Sequence, residues 1–84
     1  MTMPTTIHVT QAHIARGRRR RCFDCPVALA LEEQFGYGGV WYEKIEAGSV
    51  DNEFPVPASV RRFMRRFDRG EPVRPFSFAL ELPP

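Results

Sequence analysis

Two stretches of the chain carry apolar residues at helical spacing, and they differ in kind. From Val27 through Leu31 every residue is apolar, so a helix there can be buried on all sides rather than along one stripe. It is entered through Cys22-Phe23-Asp24-Cys25-Pro26 and followed by Gly36. Proline suits the first helical position, where its missing N–H would have no intrahelical partner, and glycine closes helices in the left-handed conformation. This predicts a central helix over 26–35. Farther on, Val60, Phe63, Met64 and Phe67 recur at i, i+3, i+4 and i+7. Pro57 opens that stretch and Gly70 and Pro72 stop it, which predicts an amphipathic helix over 57–69.

Between and around these helices the spacing changes to that of strands. Residues 5–9 alternate weakly and contain β-branched residues, which predicts a first strand, with residues 1–4 expected to lie outside the ordered domain. Thr10 is the expected N-cap of a short helix over 11–16, ended by Gly17. Tyr37-Gly38-Gly39 reads as a turn, residues 40–46 as a second strand, and residues 49–54 as its hairpin partner. Residues 75–82 close the domain as a strand, with Phe76, Phe78, Leu80 and Leu82 on one face and Ser77, Ala79 and Glu81 on the other. The expected order is β-α-α-β-β-α-β. It describes one α+β domain over residues 1–84, with helices on one face of a three- to four-stranded, mainly antiparallel sheet.

Length and composition bound what this domain can be. A chain of 84 residues buries only roughly 60–65% of its extended-chain surface, so a ligand, metal or partner would contribute to its stability. No apolar run approaches the roughly 20 residues of a membrane span, and Met1-Thr2-Met3-Pro4 does not begin a signal peptide. The expectation is a cytoplasmic protein with no membrane partner. In that compartment two cysteines serve as thiols or metal ligands rather than as a disulfide.

The net charge of +2 hides a strong asymmetry. Residues 1–25 hold five arginines against one acid, residues 26–56 hold Lys44 against six acids, and residues 57–84 hold six arginines against three acids. The segments therefore carry +4, −5 and +3, two basic ends around an acidic middle. On the 57–69 helix, Arg61, Arg62, Arg65, Arg66 and Arg69 form a stripe opposite the apolar one. Three like-charged i,i+4 pairs oppose that helix by roughly 0.2–0.5 kcal/mol each, and an anionic partner would offset this through bidentate guanidinium contacts. The alternative is an ordinary solvated helix face. Arg18, Arg19, Arg20 and Arg21 make a second cluster, in a loop that either grips phosphate or is simply solvated.

Cys22 and Cys25 admit three readings. With His8 and His13 they give four potential zinc ligands within eighteen residues, although not at a zinc-finger spacing. Cys25, at a helix N-terminus behind arginines, could have a lowered pKa and be a reactive thiol. It could also merely pack. No Ser/His/acid or Cys/His/acid pattern, phosphate-binding glycine loop or calcium loop is present, so the reading is non-enzymatic.

Three segments carry a resemblance: residues 7–17, Cys25-Pro26-Val27-Ala28-Leu29-Ala30, and Val60-Arg61-Arg62-Phe63 continuing through Phe67-Asp68-Arg69-Gly70 to Pro75-Phe76-Ser77-Phe78. Together they resemble short proteins of bacteriophages and prophages of high-GC bacteria. The resemblance implies a setting, the inside of a bacterial cell, and carries no catalytic or binding residue across. Proteins of that kind bind host macromolecules or sequester defence signals. The leading expectation is a binding module whose arginines hold a phosphate-bearing small molecule, a nucleotide signal, or a host component. The alternatives are an inhibitor that binds a host protein through the 57–69 helix or a sheet edge, a weakly specific nucleic-acid binder, and a small zinc-stapled domain. Burying an uncovered sheet face that carries Trp41 or Tyr42 against a second copy predicts a homodimer.

Overall fold

The first and last described segments of the chain are zipped together. The computed structural model describes residues 3–82. Strand β1 (Met3–Val9) pairs antiparallel with β5 (Phe76–Leu82), and the register sets Ile7 opposite Phe78 and Val9 opposite Phe76. That register places Ile7, Val9, Phe78 and Leu80 on the buried face, with His8, Thr6, Ser77 and Ala79 turned outward. Between them lie α1 (Gln11–Arg16), α2 (Pro26–Phe35), β2 (Gly38–Val40), β3 (Ile45–Ala47), β4 (Glu53–Phe54) and α3 (Ala58–Asp68). The α+β class holds. The strands form two antiparallel sheets, β1-β5 and β2-β3-β4, where one sheet was expected.

The three strands of the second sheet, where a two-stranded hairpin was expected, have a local cause. Residues 40–46 do not form one strand: Val40 pairs with Ile45, and residues 41–44 turn back between them. Gly38 and Gly39 belong to β2 rather than to a turn, because a Cβ at Gly38 would lie 2.5 Å from Leu31 Cβ and 2.7 Å from the Ala28 carbonyl oxygen. Glycine lets this strand lie directly on α2. The second half of the expected hairpin is present but short, with Ile45 opposite Phe54 and Glu46 opposite Glu53. Strand β1 begins at Met3, so Met3 and Pro4 are part of the ladder; residues 1 and 2 lie outside the described residues.

Helix α2 is the centre of the core. Val27, Ala28, Ala30 and Leu31 are buried with Ile7, Val9, Val40, Ile45 and Val60 in one apolar cluster. Its N-terminus is capped by Cys25, whose Sγ accepts a hydrogen bond from Ala28 N at 3.4 Å, and Pro26 occupies the first position. Gly36, at φ 83°, ends it. Helix α3 buries Val60, Phe63 and Met64, and reaches the β1-β5 ribbon by packing Phe63 against Phe76, with the rings tilted by 31° and their centres 4.6 Å apart. Among the described residues no helix is long and apolar enough to cross a membrane.

Candidate anion-binding groove

The end of α3 decides where its arginines face. Arg69 caps the helix, Gly70 takes φ 77°, the Gly70 N–H donates to the Phe67 carbonyl, and the Glu71 N–H donates to the Arg66 carbonyl. These two bonds are a Schellman turn, which satisfies the last carbonyls and sends the chain back along the helix. Residues 72–75 therefore form a second wall beside α3. Between the walls is a groove of about 650 Å³. Arg62, Arg65, Arg66, Arg69 and Arg74 line it, together with Phe63, Val73 and Phe76, which make an apolar floor. Among the described residues, Arg69 has a carboxylate within ion-pair distance, Glu71 Oε2 at 3.7 Å; no acid comes that close to Arg62, Arg65, Arg66 or Arg74.

The second arginine cluster meets the same end of α3. Its loop is tied down by backbone bonds from Arg18 N to the Asp24 carbonyl, Cys25 N to the Arg21 carbonyl and Val40 N to the Cys22 carbonyl. Arg20 adopts a left-handed backbone, φ 59°, and its N–H donates to Asp68 Oδ1 at 2.9 Å. Asp68 Oδ2 accepts from the Tyr42 hydroxyl at 2.7 Å. That bond raises the tyrosine pKa, since the ionised phenol would face a carboxylate. Arg20, Tyr42, Arg65, Asp68 and Arg69 surround a smaller hollow of about 390 Å³, which shares Arg65 and Arg69 with the main groove. Arg19 belongs here too: a Cβ at Gly70 would lie 2.6 Å from its Nη1. Arg18, Arg21 and Arg61 are exposed and line neither hollow.

The four residues considered for zinc are engaged separately. His13 is buried and sits at the third position of α1, where its Nδ1 accepts from the Thr10 N–H at 2.9 Å in a capping box. Its Nε2 meets Glu33 Oε2 at 2.9 Å, so both ring nitrogens are occupied. His8 is on the outward face of β1, bonded through Nδ1 to Ser77 Oγ at 2.7 Å. Among the described residues no group of three or more His, Cys, Asp or Glu side chains is placed to hold a metal ion. Nor is Cys25 an activated thiol: burial pushes its pKa up to about 11, and Cys22 is shifted upward as well, first by burial and then by Glu43. Both cysteines are free thiols.

Trp41 and Tyr42 occupy the 41–44 turn rather than alternate faces of a strand. Trp41 packs edge-on against Phe23 at 5.5 Å, with Lys44 Nζ 5.0 Å from its ring centre. Tyr42 is directed to Asp68. The sheet face invoked for a homodimer is therefore not built as expected. Arg74, Asp68 and the Val73–Phe76 floor were missed from the sequence. The signal for Arg74 was Gly70 itself, since a left-handed cap one residue past an arginine-striped helix folds the next segment back onto it.

No family model, curated protein or solved structure matches this chain.

Proposed function

We propose that the protein is a non-enzymatic binding module that holds a phosphate-bearing ligand in the groove between α3 and residues 72–75. The observation that carries this reading is the convergence of Arg62, Arg65, Arg66, Arg69 and Arg74 on one concave surface, where among the described residues a carboxylate comes within ion-pair distance of Arg69 alone. Guanidinium groups are planar forks that match phosphate oxygens, and they gain most when no internal carboxylate competes. The resemblance to small phage proteins adds a setting, an infected bacterial cell, where holding a nucleotide signal would blunt a host response.

The test is to purify the protein from a bacterial host, denature it, and identify the released small molecules by mass spectrometry. A phosphate compound at near one equivalent, lost in Arg62→Ala/Arg66→Ala, is expected. If nothing is released and pyrophosphate causes no change in the arginine Nε resonances, the reading is wrong.

A second reading, binding of a host protein, is favoured by a different surface. Phe23 is 48% exposed beside Trp41, and β1 and β5 each have a single ladder partner among the described residues. It predicts that host lysate yields one stoichiometric partner whose capture survives Arg66→Ala and fails with Phe23→Ser.

A further inference from the structure

Resting on that reading of the groove, we infer that its ligand is a compact nucleotide, with phosphates on the arginine rim and the base over the apolar floor, and not a nucleic-acid strand or a bare polyphosphate. Two features separate these classes. The first is the floor. Phe63, Val73 and Phe76 line the same cavity as the arginines, and Val73 and Phe76 are only half-buried. A bare phosphate chain would leave that apolar surface wet, whereas a base has a flat apolar face that covers it. The second is how the basic track ends. At the C-terminal end of α3 two carboxylates interrupt it: Glu71 beside Arg69, and Asp68 between Arg20 and Tyr42. A strand continuing from the groove toward the arginine loop would lay its next phosphate against Asp68. A small ligand can keep all its phosphates within the groove, clear of both acids.

The Asp68 end also offers something a nucleotide has and pyrophosphate lacks. Asp68 accepts one hydrogen bond on each oxygen, from Arg20 N and the Tyr42 hydroxyl, and each carboxylate oxygen has capacity for another. A sugar hydroxyl reaching over Arg65 or Arg69 would donate there. The Asp68 carboxylate itself is thus suited to a hydroxyl donor and repels a phosphate laid directly against it, although Arg20, Arg65 and Arg69 surround it.

The experiment is calorimetric titration of the full chain with each of the four ribonucleoside diphosphates, the matching nucleosides, pyrophosphate, and a single-stranded oligodeoxynucleotide, at low and physiological salt. At least one diphosphate should bind tenfold or more tighter than pyrophosphate and than its own nucleoside, and Arg66→Ala should weaken it at least tenfold. If pyrophosphate binds and no diphosphate exceeds it tenfold, the inference fails while the phosphate site stands. If Arg66→Ala leaves nucleotide binding unchanged, the ligand lies elsewhere and the inference fails. Oligonucleotide binding tighter than every diphosphate, with steep salt dependence, overturns the compact ligand in favour of a strand. If neither pyrophosphate nor any diphosphate binds, the phosphate reading falls and this inference with it.

Discussion

Helices α2 and α3 are almost the same length and are built on opposite principles. Of the ten residues of α2, five are buried, its N-terminus is capped by a thiol, and its glycine neighbour Gly38 brings a strand into direct contact. Helix α3 buries three of eleven, has no side-chain cap at Pro57, and carries four arginines on its outer face, with Arg69 at the cap making a fifth. The first helix is optimised to be surrounded. The second tolerates charge repulsion that a purely structural helix would have no reason to keep. The contrast places stability in α2 and, on the reading proposed above, ligand binding on α3, and each substitution below is a way to break or sharpen that assignment.

The largest effect should come from Leu31→Ala, which empties a site with no solvent exposure at the α2–β2 contact. A loss of about 2–5 kcal/mol is expected in urea unfolding, against less than about 0.5 kcal/mol for Arg62→Ala on the exposed face of α3. Equal losses at the two positions would erase the distinction between the helices.

Much of this contrast was legible beforehand, because both helices declare themselves by spacing and by their end residues. The bounds expected for α1 and α2 agree with the structure, and α3 begins one residue after Pro57. The failures cluster in residues 37–47, where glycine has two meanings. Gly38-Gly39 reads as a turn from local chemistry, but close approaches are what demand glycine there, Leu31 at Gly38 and the Trp41 and Phe23 rings at Gly39. With the turn misplaced, the real reversal at 41–44 was hidden inside aromatic, β-branched residues that favour strands. The arginine stripe was legible for the same reason as the helix. That the 18–21 loop joins it was not, since the link is a backbone N–H of Arg20 to Asp68 across forty-eight positions.

Burial around the start of α2 should also appear as a pH dependence. Below about pH 9 the Cys25 thiol is protonated in folded and unfolded chains alike. Between 9 and about 11 the unfolded chain releases that proton while the folded chain retains it, so stability falls by about 2–3 kcal/mol across this window and then levels off. Tyr37 and Tyr42, raised by their bonds to Glu46 and Asp68, act in the same direction at the alkaline end. Unfolding midpoints from pH 8 to 11 should therefore flatten in Cys25→Ala but not become level. At pH 8, Cys25 in the folded protein should react with iodoacetamide far more slowly than Cys22. An equally fast reaction would mean that the start of α2 is not closed.

The turn that builds the groove is open to a smaller perturbation. Gly70→Ala places a side chain at φ 77° and pushes Arg19 Nη1 away from 2.6 Å. About 1–2 kcal/mol of destabilisation is expected from the backbone, because the left-handed conformation is disfavoured for residues with a Cβ. If the reversed segment is what brings Arg74 to α3, ligand affinity should fall together with stability.

The smallest effect on stability separates the two helices most sharply, because its sign is opposite to that of the others. Arg65 stands at i,i+4 from both Arg61 and Arg69, and no carboxylate among the described residues lies within ion-pair distance of it. Arg65→Gln removes both repulsive pairs, and glutamine has nearly the helix propensity of arginine. The relief is partly offset because Arg65 lies in the last turn, where the helix C-terminus and Asp68 attract a cation. The ligand-free protein should therefore become more stable by up to about 0.5 kcal/mol, read from the urea midpoint at low salt, and the gain should shrink as salt screens the pairs. The same substitution removes a guanidinium shared by both hollows, so affinity for a phosphate ligand should fall about tenfold or more. Opposite signs for stability and binding at one residue are what a helix face kept for a partner should show. A substitution that destabilised the free protein would mean that Arg65 serves the fold, and α3 would then resemble α2 more than its charge suggests.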